Sequence, residues 1–360
     1  MRPLQGPSAA RGIGAYARGL LGGLVRAGFD SELSLLLDVA YDEPALPPGR
    51  YRLVGCRRRS HGQLAAYEDA VALTADLRRI GPDVYHAIDL HLPGRSPCPL
   101  VVTLHDLIPW AWGGPRMRGE RFRNLAAFRL LRRADAVIAV SAATAEDAAR
   151  LRVAARARLR VIPEAADPVF KPREGAAERV RERHGLEGAY LLFVGALDAR
   201  KDPRSLLTAW ASARASRPEL RLVIAGEPGR QAPPSMDGAV QLGRVADEEL
   251  ADLYSAAGCL VFPSRYEGFG LPCLEAMSCG CPVAAFHNSS VPEVVGDAGM
   301  LVEDGDAAAL GEAAAAMLGQ RERWSKAGLR RARQFSWDRT ARETISVYET
   351  CVAGGIIGRP

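Results

Sequence analysis

Short apolar runs alternate with amphipathic helical stretches along this chain, and that alternation limits the fold class more than any other feature. Strand candidates in the first half are Leu33–Leu37, Val84–Ala87, Leu100–Leu104 and Ala136–Val140. In the second half they are Tyr190–Gly195, Leu220–Ala225, Ala239–Leu242, Cys259–Phe262 and Pro282–Ala285. Helix candidates lie between them: Tyr16–Ala27, Leu64–Arg79, Arg121–Arg133, Ala142–Leu151, Pro203–Ser216, Asp247–Ala256 and Ala307–Leu318. Strands that alternate with helices build βαβ units and a parallel sheet. Runs that are apolar on both faces fit strands covered on both sides. The expected class is α/β.

The alternation breaks once, at Ile162-Pro-Glu-Ala-Ala-Asp-Pro-Val-Phe-Lys-Pro172, and resumes at Tyr190. We read this as a linker between two Rossmann-like domains, 1–165 and 166–335, with 336–360 as a terminal helical segment. A length of 360 residues agrees with about two domains. Ligands of such sheets bind at the carboxyl ends of the strands, so two facing domains would form a central cleft.

Composition excludes several classes. Hydrophobic residues make up 48% and charged residues 25%, which does not fit disorder. The net charge of +5 is dispersed and has no interleaved aromatic stripe, so no nucleic-acid partner is expected. The seven cysteines are scattered, and Cys279-Gly-Cys281 lacks both zinc and redox spacing. No apolar run is long enough to span a bilayer, and the first residues do not read as a secretory leader. The expected location is cytoplasmic.

The densest chemical signal is Phe262-Pro-Ser-Arg-Tyr-Glu-Gly-Phe-Gly-Leu-Pro-Cys-Leu-Glu275. A strand ends at Phe262, Gly268-Phe269-Gly270 allows close backbone approach, and a helix is expected from about Leu271 with Pro272 in its first turn. A helix N-terminus attracts anions. Glu267 and Glu275, the latter expected in that first turn, flank the site and could accept hydrogen bonds from hydroxyls. A diphosphate bearing a sugar fits this pattern, and so does a plain tight turn before an acidic helix. Arg200 and Lys201 follow the strand beginning at Tyr190 and could hold a diphosphate. Lysine is scarce, with only Lys171, Lys201 and Lys326 in the chain.

Glu267, seven residues, then Glu275, with Gly-Phe-Gly-Leu-Pro inside, resembles the E-x7-E signature of retaining family 4 glycosyltransferases of GT-B fold. Further segments resemble the family in family order. They are Gly12-Ile-Gly14-Ala-Tyr16, Val102–Pro109 with its His105-Asp106 pair, Ala134–Ser141, Phe193–Asp202 and Val291–Gly299. Asp202 stands where the family commonly has Asn.

The resemblance implies two Rossmann-like domains, with the last helix, near Trp337–Cys351, returning to the first domain. It implies transfer of a hexose, mannose as the leading choice, from a nucleotide-diphospho-sugar to a saccharide or lipid-linked saccharide, with retention and without a metal or other cofactor. The residues implied as catalytic are His105, Glu267, Arg200 and Lys201. Those implied in donor binding are Gly12, Gly14, Gly195, Gly268, Phe269, Gly270, Leu271 and Glu275. Gly12 and Gly14 are expected in a loop before a helix that starts near Ala15. Asp106 could orient His105 or cap the next turn, and Glu164, where many relatives carry Asn, has no role assigned.

Three other readings remain. An epimerase would convert the donor without an acceptor, a phosphorylase would need a pyridoxal-phosphate lysine, and a non-catalytic binder would stay inert with every acceptor. Asp304-Gly-Asp306 imitates a metal motif but sits in a turn before a helix. Arg57–Arg59 and Arg129–Arg133, with Trp110 and Trp112, suit a solvated basic face better than peripheral contact with anionic lipid, which stays an option. Relatives begin with a short apolar strand that is missing before Gly12 here, so an upstream start is expected. A chain extended upstream should then be more soluble and melt higher.

Overall fold

The computed structural model describes residues 4–5, 12–29, 32–56, 65–113, 117–229 and 238–354, without the side chains of 65–69, 120 and 122–124. The chain divides into two compact units: Met1–Ala165 with Ser336–Pro360, and Ala166–Phe335.

The first unit runs α1 (Gly12–Arg26), β1 (Ser34–Asp38), β2 (Arg52–Cys56), α2 (Ala65–Ile80), β3 (Tyr85–Ala87), β4 (Leu100–Leu104), α3 (Ile108–Ala111), α4 (Arg118–Leu131), β5 (Ala136–Ala139), α5 (Ala142–Arg150) and β6 (Leu159–Val161). Its strands form a parallel pair β1-β2 and a parallel four-stranded sheet β3-β4-β5-β6. The β4 and β5 runs are buried along their whole length, which accounts for their unbroken apolar sequence. A cavity of about 700 Å³ is lined by Leu35 of β1, Val84 before β3, and Leu20 and Leu24 of α1. Among the described residues no strand precedes α1.

The second unit runs α6 (Ala176–His184), β7 (Tyr190–Val194), α7 (Pro203–Ser216), β8 (Arg221–Ala225), β9 (Val240–Gly243), α8 (Asp247–Ala256), β10 (Cys259–Phe262), α9 (Leu271–Ser278), β11 (Val283–Phe286), α10 (Val291–Val295), β12 (Met300–Val302), α11 (Ala307–Leu318) and α12 (Arg321–Ala332). All six of its strands are parallel, in the order β12-β11-β10-β7-β8-β9. The chain leaves β7 toward one edge of the sheet and returns as β10 on the other side of β7. Loops after such neighbouring strands diverge at their carboxyl ends and open a crevice there. Leu206 of α7 and Leu310 of α11 are fully buried in the core with Phe193 and Ile224.

Three strands were not expected from sequence. β2 exposes Arg52 and Leu53, β6 exposes Arg160 and Val161, and β12, although apolar throughout, has only three residues. The expected glycine loop is also corrected: α1 starts at Gly12, so Gly12 and Gly14 lie in its first turn. Glycine is a poor helix former, so sequence propensity delays the start of this helix.

The last helix, α13 (Trp337–Val352), belongs to the first unit. It packs on α1 where glycines remove side-chain bulk. A Cβ on Gly19 would fall inside the Trp337 indole, and one on Gly23 would collide with the Trp337 carbonyl. The contact is therefore backbone against ring. Gly19→Ala should destabilise the protein by about 1–3 kcal/mol through overpacking, seen as a lower Tm. An equally stable Gly19→Ala protein would mean that α13 does not pack this way.

Candidate active site

The carboxyl ends of β7 and β10 carry a buried cluster of charge. The loop after β7 turns at Gly195, whose φ of +136° disfavours any side chain, and a Cβ there would press on Lys201 Cε at 3.2 Å. Asp198 Oδ1 accepts from the backbone amides of both Arg200 and Lys201 at 3.0 Å, which fixes two cations in succession. Asp202 caps α7 in a left-handed conformation (φ +45°) and accepts from Ser205. Asp and Asn both tolerate this conformation, so the departure from the family's Asn is a mild one.

The loop after β10 brings Glu267 to the same place. The Arg265 amide donates to the Arg200 carbonyl at 2.8 Å and joins the two loops through their backbones. Glu267 Oε1 lies 2.6 Å from both Lys201 Nζ and an Arg200 guanidinium nitrogen, and the Ser264 hydroxyl also donates to it. Lys201 is buried over the face of Phe262, 4.3 Å from the ring centroid. Burial works against charge at Glu267, but the charges of Lys201 and Arg200 prevail and hold its carboxyl below the usual range. Burial pulls the Lys201 ammonium down, and Glu267 opposes it. The side chain of Ser289 accepts from the Glu267 amide, and Ser290 donates to the Glu267 carbonyl, so the loop is also held from behind.

Beyond Glu267 the chain passes Gly268 and Phe269, then Gly270 at φ +102°, and enters α9 at Leu271. The Phe269 ring packs against Phe335 inside the unit, so only its backbone remains for a ligand. Glu275 is the fifth residue of α9, hence in its second turn and not the first. Sequence reasoning missed Tyr254 of α8, whose hydroxyl donates to Glu275 Oε2 at 3.2 Å. Burial pushes the Glu275 carboxyl up to about 7.

In the first unit His105 ends β4. Its Nδ1 lies 3.1 Å from Glu164 Oε1, its Nε2 lies 3.0 Å from the Ile88 carbonyl, and Tyr16 of α1 meets its ring edge-on. Burial works against its charge, but Glu164 outweighs burial and the imidazole is raised. Asp106 accepts from the Ile108 amide and so caps the following turn. Glu164 had no assigned role; the pairing spans 59 residues and no local spacing announces it. Gly12 and Gly14 stand on the same helix as Tyr16, one turn or less away.

The remaining motifs have structural partners. Asp306 caps α11, and Asp304 pairs with Arg265 at 3.4 Å. Among the described residues no cluster of three metal-ligating side chains occurs, and no helix is long and apolar enough to cross a membrane. Trp110 packs on Phe128, and Arg133 donates to the Gly94 carbonyl. Arg57–Arg59 lie outside the described residues. All seven cysteines are free thiols.

Two parallel α/β units of this kind define a GT-B architecture. A sucrose-phosphate synthase from Thermosynechococcus elongatus superposes with a TM-score of 0.77 at 24% identity, covering 96% of this chain and 95% of its own. Anabaena HepE in complex with UDP and glucose superposes with a TM-score of 0.71 at 18% identity, covering 94% of this chain and 96% of its own. Residues 10–170 match the family described as Glycosyltransferase Family 4, and residues 188–320 match the family described as Glycosyl transferases group 1. The chain belongs to the GT-B glycosyltransferases of family 4. It is 29% identical to the O-antigen chain mannosyltransferase B of Escherichia coli, over 94% of this chain and 96% of that protein. It is 34% identical to the MMP alpha-(1->4)-mannosyltransferase of Mycolicibacterium hassiacum, over 71% of this chain and 66% of that protein.

Glu275 generates a pH prediction. Its folded carboxyl, raised to about 7 from an ordinary 4.5, binds a proton that the unfolded chain has lost. Its contribution to stability is therefore lost as pH rises from about 4.5 through 7. Glu275→Gln should raise the Tm at pH 8 and leave it nearly unchanged at pH 4.5. Equal shifts at both pH values would contradict a buried, strained carboxylate.

Proposed function

We propose that this glycosyltransferase moves a hexose, with mannose the leading choice, from a nucleotide-diphospho-sugar to a hydroxyl of a saccharide or lipid-linked saccharide. We further propose that it does so with retention at the anomeric carbon and without a metal. The observation that carries this reading is the convergence of Arg200, Lys201 and Ser264 on one oxygen of Glu267 at the carboxyl ends of β7 and β10. Two fixed cations there suit a diphosphate, and a carboxylate beside them suits sugar hydroxyls. The mannosyltransferase relatives support the sugar, and the UDP and glucose complex of HepE supports a nucleotide-sugar donor.

In this reading Glu275 accepts from the ribose, and the backbone of Gly268–Leu271 at the start of α9 meets the diphosphate. His105 stands at the donor sugar from the first unit, with Gly12 and Gly14 nearby. The bond from the anomeric carbon to the diphosphate oxygen breaks, and the acceptor oxygen bonds to that carbon on the same face. The departing phosphate takes the acceptor proton. Arg200 and Lys201 stabilise its charge, the task a metal performs elsewhere. In the free protein both cations are engaged with Glu267, so donor binding must share them between carboxylate and phosphate.

The experiment is thermal shift with a panel of nucleoside diphosphates and their sugars, followed by a transfer assay with the stabilising donor. Lys201→Ala should abolish the nucleotide-dependent shift. Glu267→Gln removes a competitor for both cations, so it should keep nucleotide binding while transfer falls by ~10²-fold or more. No shift with any nucleotide in the wild type, or unimpaired transfer by Glu267→Gln, would sink the proposal.

A further inference from the structure

We infer that Glu164 is a positioning residue that keeps the His105 ring protonated on both nitrogens, so that His105 serves as a fixed cation and not as a proton acceptor. The geometry carries the argument. The Ile88 carbonyl, 3.0 Å from Nε2, can only accept a hydrogen bond. An ionised Glu164 carboxylate, 3.1 Å from Nδ1, likewise only accepts. A neutral imidazole has one N–H and would set a nitrogen lone pair against an oxygen lone pair on one side. With a carboxylate at Glu164, both partners are satisfied only when the ring carries both protons.

The surroundings favour the same state. The side chains of His105 and Glu164 are 12% and 4% exposed, so bulk water is a poor substitute for either partner. Asp106, next in the chain, adds negative charge from the turn after β4. His86 on β3 faces the same region, but burial holds it down at about 3, so it brings no competing charge near neutral pH. From α1, Tyr16 presents its ring edge-on to His105, and its hydroxyl pairs with Thr103 at 3.0 Å. No other ring N–H remains on His105 to donate to a sugar, so it can act on a bound donor only through its charge and shape.

The pair also has a mechanical side. Glu164 is the second-last residue of the first unit's leading segment, which ends at Ala165. The carbonyl of its neighbour Pro163 accepts from Thr340 of α13 at 2.7 Å. The His105 clasp and the Thr340 bond therefore fix adjacent residues of the linker, one to the end of β4 and one to α13.

The test uses the full chain labelled with 15N-histidine, with the His105 ring assigned by its loss in His105→Gln. At pH 7 the wild type should show both ring nitrogens protonated. In Glu164→Gln the amide can donate to Nδ1 while Nε2–H stays on Ile88, so the ring should be neutral at pH 7 with one protonated nitrogen. Glu164→Asp should restore the doubly protonated ring. One protonated nitrogen in the wild type, or an unchanged titration in Glu164→Gln, would overturn the inference. Should Glu164→Gln not fold, the wild-type spectrum and Glu164→Asp decide alone.

The effect on the reaction rests on the placing of His105 in the proposed function. There the basic limb of the kcat profile should move to lower pH in Glu164→Gln, with donor KM unchanged, and return in Glu164→Asp. Parallel profiles would overturn the positioning role. Absence of transfer with every donor, alongside the expected spectra, would count against the proposed function and leave the protonation state of His105 established.

Discussion

The second unit is organised around one carboxylate oxygen. Glu267 Oε1 collects an ammonium, a guanidinium and a hydroxyl within hydrogen-bonding distance. A buried carboxylate is tolerable only when paired and hydrogen-bonded, and a buried lysine only when its charge is answered. Each of these groups therefore makes the other's burial possible. The sheet order makes the meeting possible in turn. Because β10 returns beside β7, loops separated by 66 residues leave the sheet as neighbours and share a backbone hydrogen bond. Arg200 and Lys201 would otherwise be an ordinary basic turn.

Glu275 and Glu267 show how two carboxylates eight positions apart acquire opposite tendencies. Both are buried: Glu267 meets two cations that outweigh burial and stays ionised, whereas at Glu275 burial outweighs the Tyr254 hydroxyl and pushes it toward the neutral acid. Electrostatic environment decides this, not sequence spacing. A group that is costly to ionise in the free protein is characteristic of a site shaped for a ligand and not for stability alone.

Much of this was legible in the sequence wherever a local rule operated. Runs such as Leu100–Leu104 and Cys259–Phe262 appear as strands with the expected bounds, because burial on both faces leaves an uninterrupted apolar signature. The start of α9 was legible because Gly270 and Pro272 mark a helix entry. Other features depend on partners distant in the chain. Glu164 looked like a linker residue because His105 is 59 positions away. Tyr254 carried no local signal in the helix candidate Asp247–Ala256, and only the fold brings its hydroxyl to Glu275. Gly12 and Gly14 were expected in a loop from the family resemblance, yet they open α1, whose later glycines Gly19 and Gly23 serve close packing by Trp337.

The return of α13 has an architectural consequence. The first unit is built from both ends of the chain, and the second is one unbroken segment, Ala166–Phe335. Topologically the second unit is an insertion within its host. Its entry and exit are held close by the Thr340–Pro163 hydrogen bond, so a short peptide could join the two flanks in its place. Such an arrangement lets one unit be exchanged for another without breaking the helix pair α1–α13, and it gives a physical route by which the two units can diverge separately.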